Sequence, residues 1–410
     1  VGSEMCIRDR IYCLQSISVY AMIIVVGILL CQVLKKIYIT PLQFFHILDI
    51  IYNNGEFCKL TEKELEFPER YNNEKRKSAS TMTIYDIAKE AGVSASSVSR
   101  VINNKTGVNP EVRKKVQKLL KKYHYTPDAA ARGLVSQSSR IIGILIADIR
   151  NIHHTDGAYY IERKLAALNY CCVILNTGDD DESRAQAISI LEQRRVEGAV
   201  LIGSSFQTES VAQAIKRHLS NVPIVMINAF LDAPNIYGVL SDELHGVEAC
   251  VNLLAEKGRK RLAFIRDCYT PSCELKVEGF RRGIRLLGQT EPWIYDSHGT
   301  TADDGKRTTL EVLKDHPDVE GIIYSVDLIA TGGIRALYDL GIAIPDQVSV
   351  IGVDNSIYGE ICIPTLTSLD NKTFDSSIAA CRILIDCLEN RTTTRQMILP
   401  SAIVVRESTP

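Results

Sequence analysis

The sequence lacks the short motifs that mark several classes of protein. No two of its 12 cysteines are spaced as Cys-x-x-Cys, so zinc or redox sites of that type have no signature here. No Gly-x-Gly-x-x-Gly turn follows the first predicted strand and no P-loop pattern occurs, which removes the main signals of a nucleotide cofactor. A Gly-x-Ser-x-Gly elbow is also absent, so a hydrolase has no recognisable nucleophile. We therefore expect no catalytic residue, no metal site and no cofactor.

Charge is nearly balanced over the whole chain but strongly uneven along it. The 410 residues carry 47 Lys+Arg and 49 Asp+Glu, for a net charge of −2. Residues 82–140 carry 11 basic and 4 acidic residues, whereas residues 141–410 carry 26 and 36. A small basic module beside a large acidic one indicates that one part of the chain meets a polyanion and the other does not.

Residues 1–81 differ in character from the rest of the chain. Residues 11–34 are almost continuously apolar and carry no charge. A helix of this length, with a rise of about 1.5 Å per residue, would span a hydrocarbon core of about 30 Å. Met82, however, directly precedes a well-delimited domain. We expect the functional protein to start at Met82, without a membrane segment, and residues 1–81 to be upstream sequence or an added extension. The alternative is a membrane anchor with a linker.

Residues 82–126 have the pattern of a small helical DNA-binding domain. Apolar residues after Thr83 recur at helical spacing, and Gly92 permits the positive φ of a tight turn. A second short helix is predicted over 95–102, and a third starts at Pro110, a residue that suits the first helical position. Two short helices joined by a glycine-containing turn indicate a helix-turn-helix.

The second helix of such a motif presents its first residues to base edges in the major groove. Its outward side chains here are small, polar or basic, and Arg100 can bond guanine through two donors. Ser94 is expected to cap this helix. The lysines of the third helix are expected to contact phosphates, although a charge run alone is more often a solvated face. The predicted DNA contacts in this domain are Thr83, Tyr85, Ser94, Ala95, Ser96, Ser97, Ser99, Arg100 and Asn103.

The residues from Thr83 to Asn103 carry a family resemblance. They read Thr-Ile-Tyr-Asp-Ile-Ala-Lys-Glu-Ala-Gly-Val-Ser-Ala-Ser-Ser-Val-Ser-Arg-Val-Ile-Asn, and this pattern resembles the amino-terminal signature of the LacI/GalR family of bacterial transcription regulators. The resemblance covers about residues 82–410. It implies a cytoplasmic homodimer that binds double-stranded operator DNA, and by family frequency a repressor rather than an activator.

The same resemblance assigns a role to residues 127–139. It implies a hinge helix that forms on DNA and inserts Leu134 between base steps in the minor groove. Arg132 is expected to contact DNA beside it. The alternative for this segment is a flexible linker between domains, because a helix this short is marginal in water.

Residues 140–410 have the pattern of an α/β domain. Short runs rich in Ile and Val alternate with amphipathic segments of helical length, which predicts parallel sheets with helices on both faces. The run is too long for one sheet and ends in a strand-like segment, 396–405, so we expect two lobes joined by several crossings. The expected fold class is α/β, with a small all-α helix-turn-helix headpiece and a two-lobed effector and dimerisation domain that resembles periplasmic sugar-binding proteins.

Polar residues that follow predicted strands are the candidates for effector binding. Ligands of open α/β sheets bind beyond the carboxyl ends of strands, and a cleft between two lobes is a natural pocket. The resemblance implies that Asp327 bonds a sugar hydroxyl and that Glu274 stands where many members carry an effector-binding Arg. We therefore expect a neutral sugar-like or a cationic effector rather than a phosphorylated one. The predicted effector contacts are His153, His154, Asn228, Tyr269, Glu274, Ser325 and Asp327.

Together these patterns predict a sequence-specific DNA-binding transcription regulator whose operator affinity responds allosterically to a small molecule. The alternative is a membrane-anchored sugar receptor built from residues 11–34 and the two lobes. Residues 82–126 favour the first hypothesis, since a receptor has no need of a basic helix-turn-helix. An enzyme is the third hypothesis, and it lacks an activated nucleophile or a phosphate loop.

Overall fold

The computed structural model describes most of the chain after Met82. The described residues are 82–102, 105–123, 125, 138–288 and 291–410. The predicted DNA contacts Asn103, Arg132 and Leu134 lie outside them, as does the apolar segment 11–34. Within the part of the chain that is described, no helix is both long and apolar enough to cross a membrane.

The amino-terminal part of the described chain is a three-helix domain. Its helices are α1 (Ile84–Ala91), α2 (Ala95–Ile102) and α3 (Pro110–Lys122). Its small core is formed by apolar side chains from all three helices, which are Ile87, Ala88, Ala91, Val98, Val101 and Val116. These residues repeat every three or four positions, so each helix buries one face and leaves the other to solvent.

The helix boundaries of this domain follow local capping chemistry. Gly92 adopts a φ of 69° between α1 and α2, as the sequence predicts. Ser94 Oγ accepts a hydrogen bond from the backbone N–H of Ser97 at 3.2 Å, which confirms the predicted cap of α2. The side chain of Asn109 caps α3 by accepting from the N–H of Glu111 at 2.8 Å. Each cap satisfies a backbone donor at a helix start.

The rest of the described chain alternates strands and helices. Its strands are β1 (Ile141–Ile146), β2 (Cys171–Asn176), β3 (Gly198–Ile202), β4 (Ile224–Ile227), β5 (Ile236–Ser241), β6 (Leu262–Arg266), β7 (Trp293–Asp296), β8 (Gly321–Tyr324), β9 (Ser349–Val353), β10 (Thr367–Asp370), β11 (Gln396–Leu399) and β12 (Ala402–Val404). Its helices are α4 (Ile152–Ala166), α5 (Asp181–Gln193), α6 (Glu209–His218), α7 (Glu243–Glu256), α8 (Pro271–Leu286), α9 (Ala302–Asp315), α10 (Asp327–Asp339), α11 (Ile357–Ile361) and α12 (Thr373–Leu388).

These elements form two lobes, each built on one six-stranded sheet. The strand order is β11-β5-β4-β3-β1-β2 in the first lobe and β12-β10-β9-β8-β6-β7 in the second. Neighbouring strands are parallel except for β10 and β12. The chain crosses between lobes after β5, after β10 and after β11. The predicted two-lobed α/β architecture is confirmed.

The end of the chain differs in detail from its prediction. Residues 396–405 are expected to form one strand, but they form β11 in one lobe and β12 in the other. Pro400 and Ser401 separate the two strands. Proline has no N–H to donate to a sheet ladder, which gives the physical reason for the break and places the third crossing there.

Hydrophobic cores cover both faces of each sheet. In the first lobe Leu145 packs on one face with Ile188, while Ile144 packs on the other with Ile161. The second lobe repeats the arrangement around its own sheet. Each fully buried aliphatic side chain of this kind contributes roughly 1.5–3 kcal/mol relative to exposure. The packed cores therefore keep the carboxyl ends of the strands in fixed positions.

Two helices of the second lobe pack at backbone contact, and this contact predicts a stability effect. A Cβ built on Gly332 of α10 would collide with the carbonyl oxygen of Ala302 in α9. We expect Gly332→Ala to lower the free energy of unfolding by about 1–3 kcal/mol in denaturant titrations. Gly157→Ala is the matched control, since its Cβ would meet no atom closer than 3.5 Å. Equal destabilisation by both variants would contradict the packing argument.

Candidate functional site

The exposed face of α2 carries the side chains predicted to read DNA. Ser94, Ser96 and Arg100 are exposed, and Ala95, Ser97 and Ser99 are half-buried. Val98 and Val101, by contrast, are buried against the other helices. The phase of α2 therefore separates a packing face from an outward face of small, polar and basic residues.

Three serines form a hydroxyl cluster at the start of α2. Ser94 Oγ lies 2.8 Å from Ser96 Oγ and 3.0 Å from Ser97 Oγ. Each hydroxyl both donates and accepts hydrogen bonds, so the cluster presents mixed functionality near the helix N-terminus. Tyr85 on α1 adds a side chain that is 73% exposed, and Thr83 is also exposed.

Lysines make the remaining surface of the three-helix domain basic. Lys114, Lys115, Lys118 and Lys121 of α3 are all exposed. Lys122 instead forms an ion pair with Glu90 of α1 at 3.0 Å. Exposed Lys side chains on a domain with few acidic residues suit contact with phosphates.

A cleft of about 410 Å³ lies between the two lobes, beyond the carboxyl ends of their strands. This volume falls within the range of about 300–1,000 Å³ typical of small-molecule sites. Most of the residues that line the cleft are polar, and Tyr358 is the one Phe, Tyr or Trp among them. Its polar lining includes Asp148, Asn151, His153, His154, Asp179, Ser204, Asn228, Glu243, Asp267, Ser272, Lys276, Asp327, Asp354, Ser356 and Asn371.

A buried ion pair stands in the wall of the cleft. Lys276 Nζ of α8 lies 3.5 Å from Glu243 Oε1 of α7, and both side chains are less than 10% exposed. Ser272 Oγ donates to the same carboxylate at 2.7 Å, and Lys276 Nζ donates to the backbone oxygen of Ser325 at 3.2 Å. Burial disfavours the charged form of Lys276, but Glu243 and Asp354 outweigh burial and raise its pKa. The ammonium group therefore stays charged.

Polar contacts join the two lobes across the cleft. The backbone N–H of Ser272 donates to Ser204 Oγ at 3.2 Å. His153 Nδ1 lies 3.6 Å from Asp354 Oδ1. These contacts pair the first lobe with the second at two points, so a change in the separation of the lobes would break or remake them.

Asn371, at the second crossing, connects several of these groups. Its Nδ2 donates to Asp354 Oδ1 at 3.1 Å and approaches Glu243 Oε1 at 3.5 Å. Its Oδ1 is buried and has no hydrogen-bond partner among the described residues. A buried acceptor in this position is suited to a donor from a ligand.

The histidines of the cleft are neutral at pH 7. Burial, together with the charge of Lys276, lowers the pKa of His153 to about 4. Burial also lowers the pKa of His154 to about 4. Neutral imidazoles offer one donor and one acceptor each. They are therefore suited to hydroxyl groups more than to anions.

Two aspartates behave differently from exposed carboxylates. Burial, together with the nearby Asp354, raises the pKa of Asp327 to about 7. The pKa of Asp354 is also about 7, again because of burial. Asp327 Oδ2 accepts from the N–H and Oγ of Ser356, at 2.7 and 2.9 Å, and its Oδ1 accepts from Ser368 at 2.6 Å. Asp327 thus holds the ends of β8, β9 and β10 together.

The structure brings four of the seven predicted effector contacts into the cleft. His153, His154, Asn228 and Asp327 line it. Asn228 sits at the end of β4 with a φ of 55°, a conformation that Asn tolerates better than most residues. A carboxylate offers about four acceptor positions, so Asp327 keeps one beyond its three protein donors. Its contact with a sugar hydroxyl stays a prediction.

The other three predicted contacts, Tyr269, Glu274 and Ser325, are not among the residues that line the cleft, so their part in effector binding stays a prediction. Glu274 accepts from Arg266 Nη1 at 3.0 Å, and Tyr269 donates to Asp296 at 2.8 Å beneath the same Arg266. Arg266 is the last residue of β6 and contacts both side chains. Ser325 is fully buried and donates to Asp267 at 2.6 Å, so its side chain holds the Asp267 carboxylate in place.

The cleft residues that the sequence did not predict include Glu243, Ser272, Lys276 and Asn371. Glu274 and Lys276 lie two positions apart on α8, and two positions turn a helix by about 200°. The sequence therefore indicates the correct strand end but not the phase of the helix that follows it. An apolar pattern that fixes the buried face of α8 at Cys273, Val277 and Phe280 is the signal that could have found Lys276.

A thiol pair lies at one edge of the cleft. Asp267 and Cys268 follow β6, and Cys273 belongs to the first turn of α8. One ligand atom from each of the three side chains lies within 4.8 Å of the others. All three residues line the cleft.

Two family models match the chain. Residues 83–128 match bacterial regulatory proteins of the lacI family, and residues 251–409 match a periplasmic binding protein-like domain. The first match covers the three-helix domain and the second covers most of the second lobe together with α12 and the end of the chain.

Curated relatives align along four fifths of the chain. An HTH-type transcriptional regulator from Lachnoclostridium phytofermentans is 30% identical over 332 residues, which are 80% of this chain and 99% of the relative. A ribose operon repressor from Halalkalibacterium halodurans is 31% identical over 330 residues, covering 80% of this chain and 97% of the relative.

Solved structures share the fold. The lac repressor dimer bound to operator and the anti-inducer ONPF has a TM-score of 0.73 at 22% identity, covering 80% of this chain and 98% of that one. The transcriptional regulator CelR–cellobiose complex has a TM-score of 0.59 at 23% identity, covering 80% and 99%. Both likenesses support the headpiece-plus-two-lobes architecture.

Proposed function

Because the chain belongs to the lacI family of bacterial regulatory proteins, we propose that α2 reads an operator and that a small polar ligand in the cleft controls this binding. The chain is a DNA-binding transcription regulator and not an enzyme. The observation that carries the proposal is the convergence of side chains from both lobes on one cleft lined mostly by polar residues, in a chain that also carries a basic three-helix domain. A ligand held by both lobes changes their separation, which is how such a cleft can act at a distance.

We propose that α2 enters the major groove of double-stranded operator DNA. The half-buried alanine and serines permit close approach, and the exposed Arg100 is long enough to reach base edges. The α3 lysines would contact the flanking phosphates. A second copy of the chain, as in the lac repressor dimer, would place a second α2 on the other half of a pseudo-palindrome. The chain would act as a repressor, as the name of its ribose operon relative suggests.

Arg100→Ala tests the base-reading role. We expect it to cost about 1–3 kcal/mol in binding to a preferred duplex, and to erase the preference at one base position. The measurement is fluorescence anisotropy with a duplex selected by the chain from a random pool, and with its single-base variants. Lys118→Ala is the matched control, since removing a phosphate-binding side chain weakens binding to every sequence alike. A uniform loss with Arg100→Ala would contradict its assignment.

The charge of the cleft defines the class of effector. Six acidic residues and two basic residues contribute to its lining, and the two basic residues, Arg150 and Lys276, are both paired with carboxylates. A phosphorylated ligand would meet this acidic excess and would have to compete with a carboxylate for either cation. Neutral His153 and His154 and the acceptor Oδ1 of Asn371 suit hydroxyl groups instead. We therefore propose a neutral sugar-like effector, bound between His153, His154, Asn228, Asp327 and Asn371.

Calorimetry with paired ligands tests this assignment. A panel of neutral sugars, each with its phosphate ester, should give binding among the neutral members only. Tight binding of a sugar phosphate would contradict it. The ribose and cellobiose named with two relatives are the first ligands to try.

Family membership alone supports a role for the segment that follows the three-helix domain. We propose that residues 127–139 act as a hinge helix in which Leu134 enters the minor groove beside Arg132, as expected from the sequence. We place the regulator in the cytoplasm, since its DNA partner is there and its described cysteines are free thiols. The membrane-anchored receptor is disfavoured by the match of residues 83–128 to a DNA-binding family.

A further inference from the structure

We propose that Asp267, Cys268 and Cys273 form a binding site for a soft divalent cation of the zinc class, open towards the cleft. Sequence spacing gives no hint of it, because the two cysteines are five positions apart. The fold brings them together where the β6–α8 loop turns back into the first turn of α8. This site goes beyond the sugar-like effector proposed above, which uses none of the three side chains.

The chemistry of the donor set selects the cation. Thiolates are soft ligands that favour zinc and similar ions over magnesium or calcium. Zinc binds sulfur at about 2.3 Å and carboxylate oxygen at about 2.0–2.2 Å, so ligand atoms around one ion are separated by up to about 4 Å. The three ligand atoms here are within 4.8 Å of one another, and a shift of about 1 Å or less would bring them into coordination range.

The surroundings hold these donors in place. Ser325 Oγ donates to Asp267 Oδ1 at 2.6 Å and accepts from the Asp267 N–H at 2.9 Å, which fixes the carboxylate from behind as outer partners of metal ligands do. Cys268 Sγ lies 3.4 Å from Thr270 Oγ1. Cys273 is 1% exposed and presents its sulfur from a rigid helix. Three protein ligands leave a fourth position on the cleft side, as in open zinc sites.

The ordinary explanation for such thiols is packing. Cys250 and Cys381, for example, lie in hydrophobic cores. The cleft thiols differ, because polar atoms surround them. Across the described ranges, no other three Cys, His, Asp or Glu side chains bring their ligand atoms this close.

A cation at this site would act on lobe closure. Ser272 stands between the site and the first lobe, donating its N–H to Ser204 and its Oγ to Glu243. It directly precedes Cys273 on α8. A bound ion would hold the loop and the first turn of α8 together, and so fix the residue that bridges the lobes.

Metal titration of the full chain tests the site. Reduced, chelator-treated protein is titrated with Co²⁺ as a spectroscopic probe, and zinc affinity is then measured against a chelating dye. We expect one equivalent to produce thiolate-to-cobalt charge-transfer absorption that zinc abolishes. Cys268→Ser/Cys273→Ser should remove this signal. Cys171→Ser/Cys172→Ser, a second neighbouring thiol pair outside the cleft lining, is the matched control and should keep it.

Two further variants keep both thiols. Asp267→Asn removes one ligand, and Ser325→Ala removes only the support of that ligand and should weaken zinc binding by about 10–100-fold. Retention of the charge-transfer signal in Cys268→Ser/Cys273→Ser would overturn the proposal. Unchanged zinc affinity in both Asp267→Asn and Ser325→Ala would do so as well, even where the double cysteine variant fails to fold. Neither readout depends on DNA or sugar, so the proposed function could fail independently.

Discussion

Lys276→Met is expected to lower the free energy of unfolding of the second lobe by about 3–5 kcal/mol. The substitution keeps the length of the side chain but leaves Glu243, which is 2% exposed, without its cation. A buried carboxylate that loses its partner keeps its full desolvation penalty. Ser272 and Asn371 would still donate to it, but neutral donors compensate only in part.

The single tryptophan provides the measurement. Trp293 stacks on His316 in the second lobe, with ring centroids 3.6 Å apart, so its fluorescence in urea reports the unfolding of that lobe. Lys306→Met removes an ion pair with Asp339 whose side chains are 39% and 33% exposed, and as the matched control it should cost less than about 1 kcal/mol. Glu243→Gln/Lys276→Met should recover much of the loss, since neither charge stays buried. Equal losses of unfolding free energy in Lys276→Met and Lys306→Met would show that burial of the Lys276–Glu243 pair is unimportant.

Operator affinity is expected to fall about a thousandfold or more between 50 and 200 mM salt. Each α3 exposes several lysines, and two copies of the domain would together contact six or more phosphates. Every neutralised phosphate releases counterions, so the logarithm of affinity falls by about 0.9 per phosphate for each unit of log salt. We expect this salt dependence to come from the three-helix domain and not from the acidic lobes.

Anisotropy titrations of a selected duplex at four or five salt concentrations give the slope. Lys118→Ala should reduce its magnitude by about 0.9 for each phosphate that the variant no longer neutralises. Lys257→Ala is the matched control, because Lys257 is also exposed but lies in the second lobe, and its slope should equal that of the parent. A flat salt dependence, or a change of slope in Lys257→Ala, would contradict the assignment of the DNA surface.

The fold was largely predictable because its signals are local. Runs of Ile and Val mark β1, β3, β4 and β9, whose residues are buried on both faces of parallel sheets. The strands that lack such runs have a different character. β7 lies at a sheet edge and is only half-buried, and β10 reads Thr-Ser-Leu-Asp because its hydroxyls bond Asp327 and the carboxyl-terminal segment. Because the polar side chains of β10 have partners far along the chain, its sequence has the pattern of a loop.

For the cleft, the sequence predicted which strand ends contribute residues but not which other side chains line it. Parallel strands finish at one edge of a sheet, so residues after β1 and β4 could be assigned to the same cavity. The partners of Glu243 could not be assigned in this way, because one of them, Asn371, lies 128 residues away along the chain. Lys276 required the rotational phase of α8, which depends on how that helix packs on α7. Long-range packing thus decides which polar residues face the ligand.

We propose that a neutral ligand in the cleft controls sequence-specific DNA binding. The most direct measurement is anisotropy of the selected duplex and of a scrambled duplex, with and without a sugar that raises the melting temperature of the protein. We predict tighter binding to the selected duplex and a ligand-dependent change of that affinity. Asn371→Ala should weaken the ligand effect and leave the ligand-free affinity unchanged. Equal binding to both duplexes, or a bound sugar that leaves DNA affinity unaltered, would contradict the account.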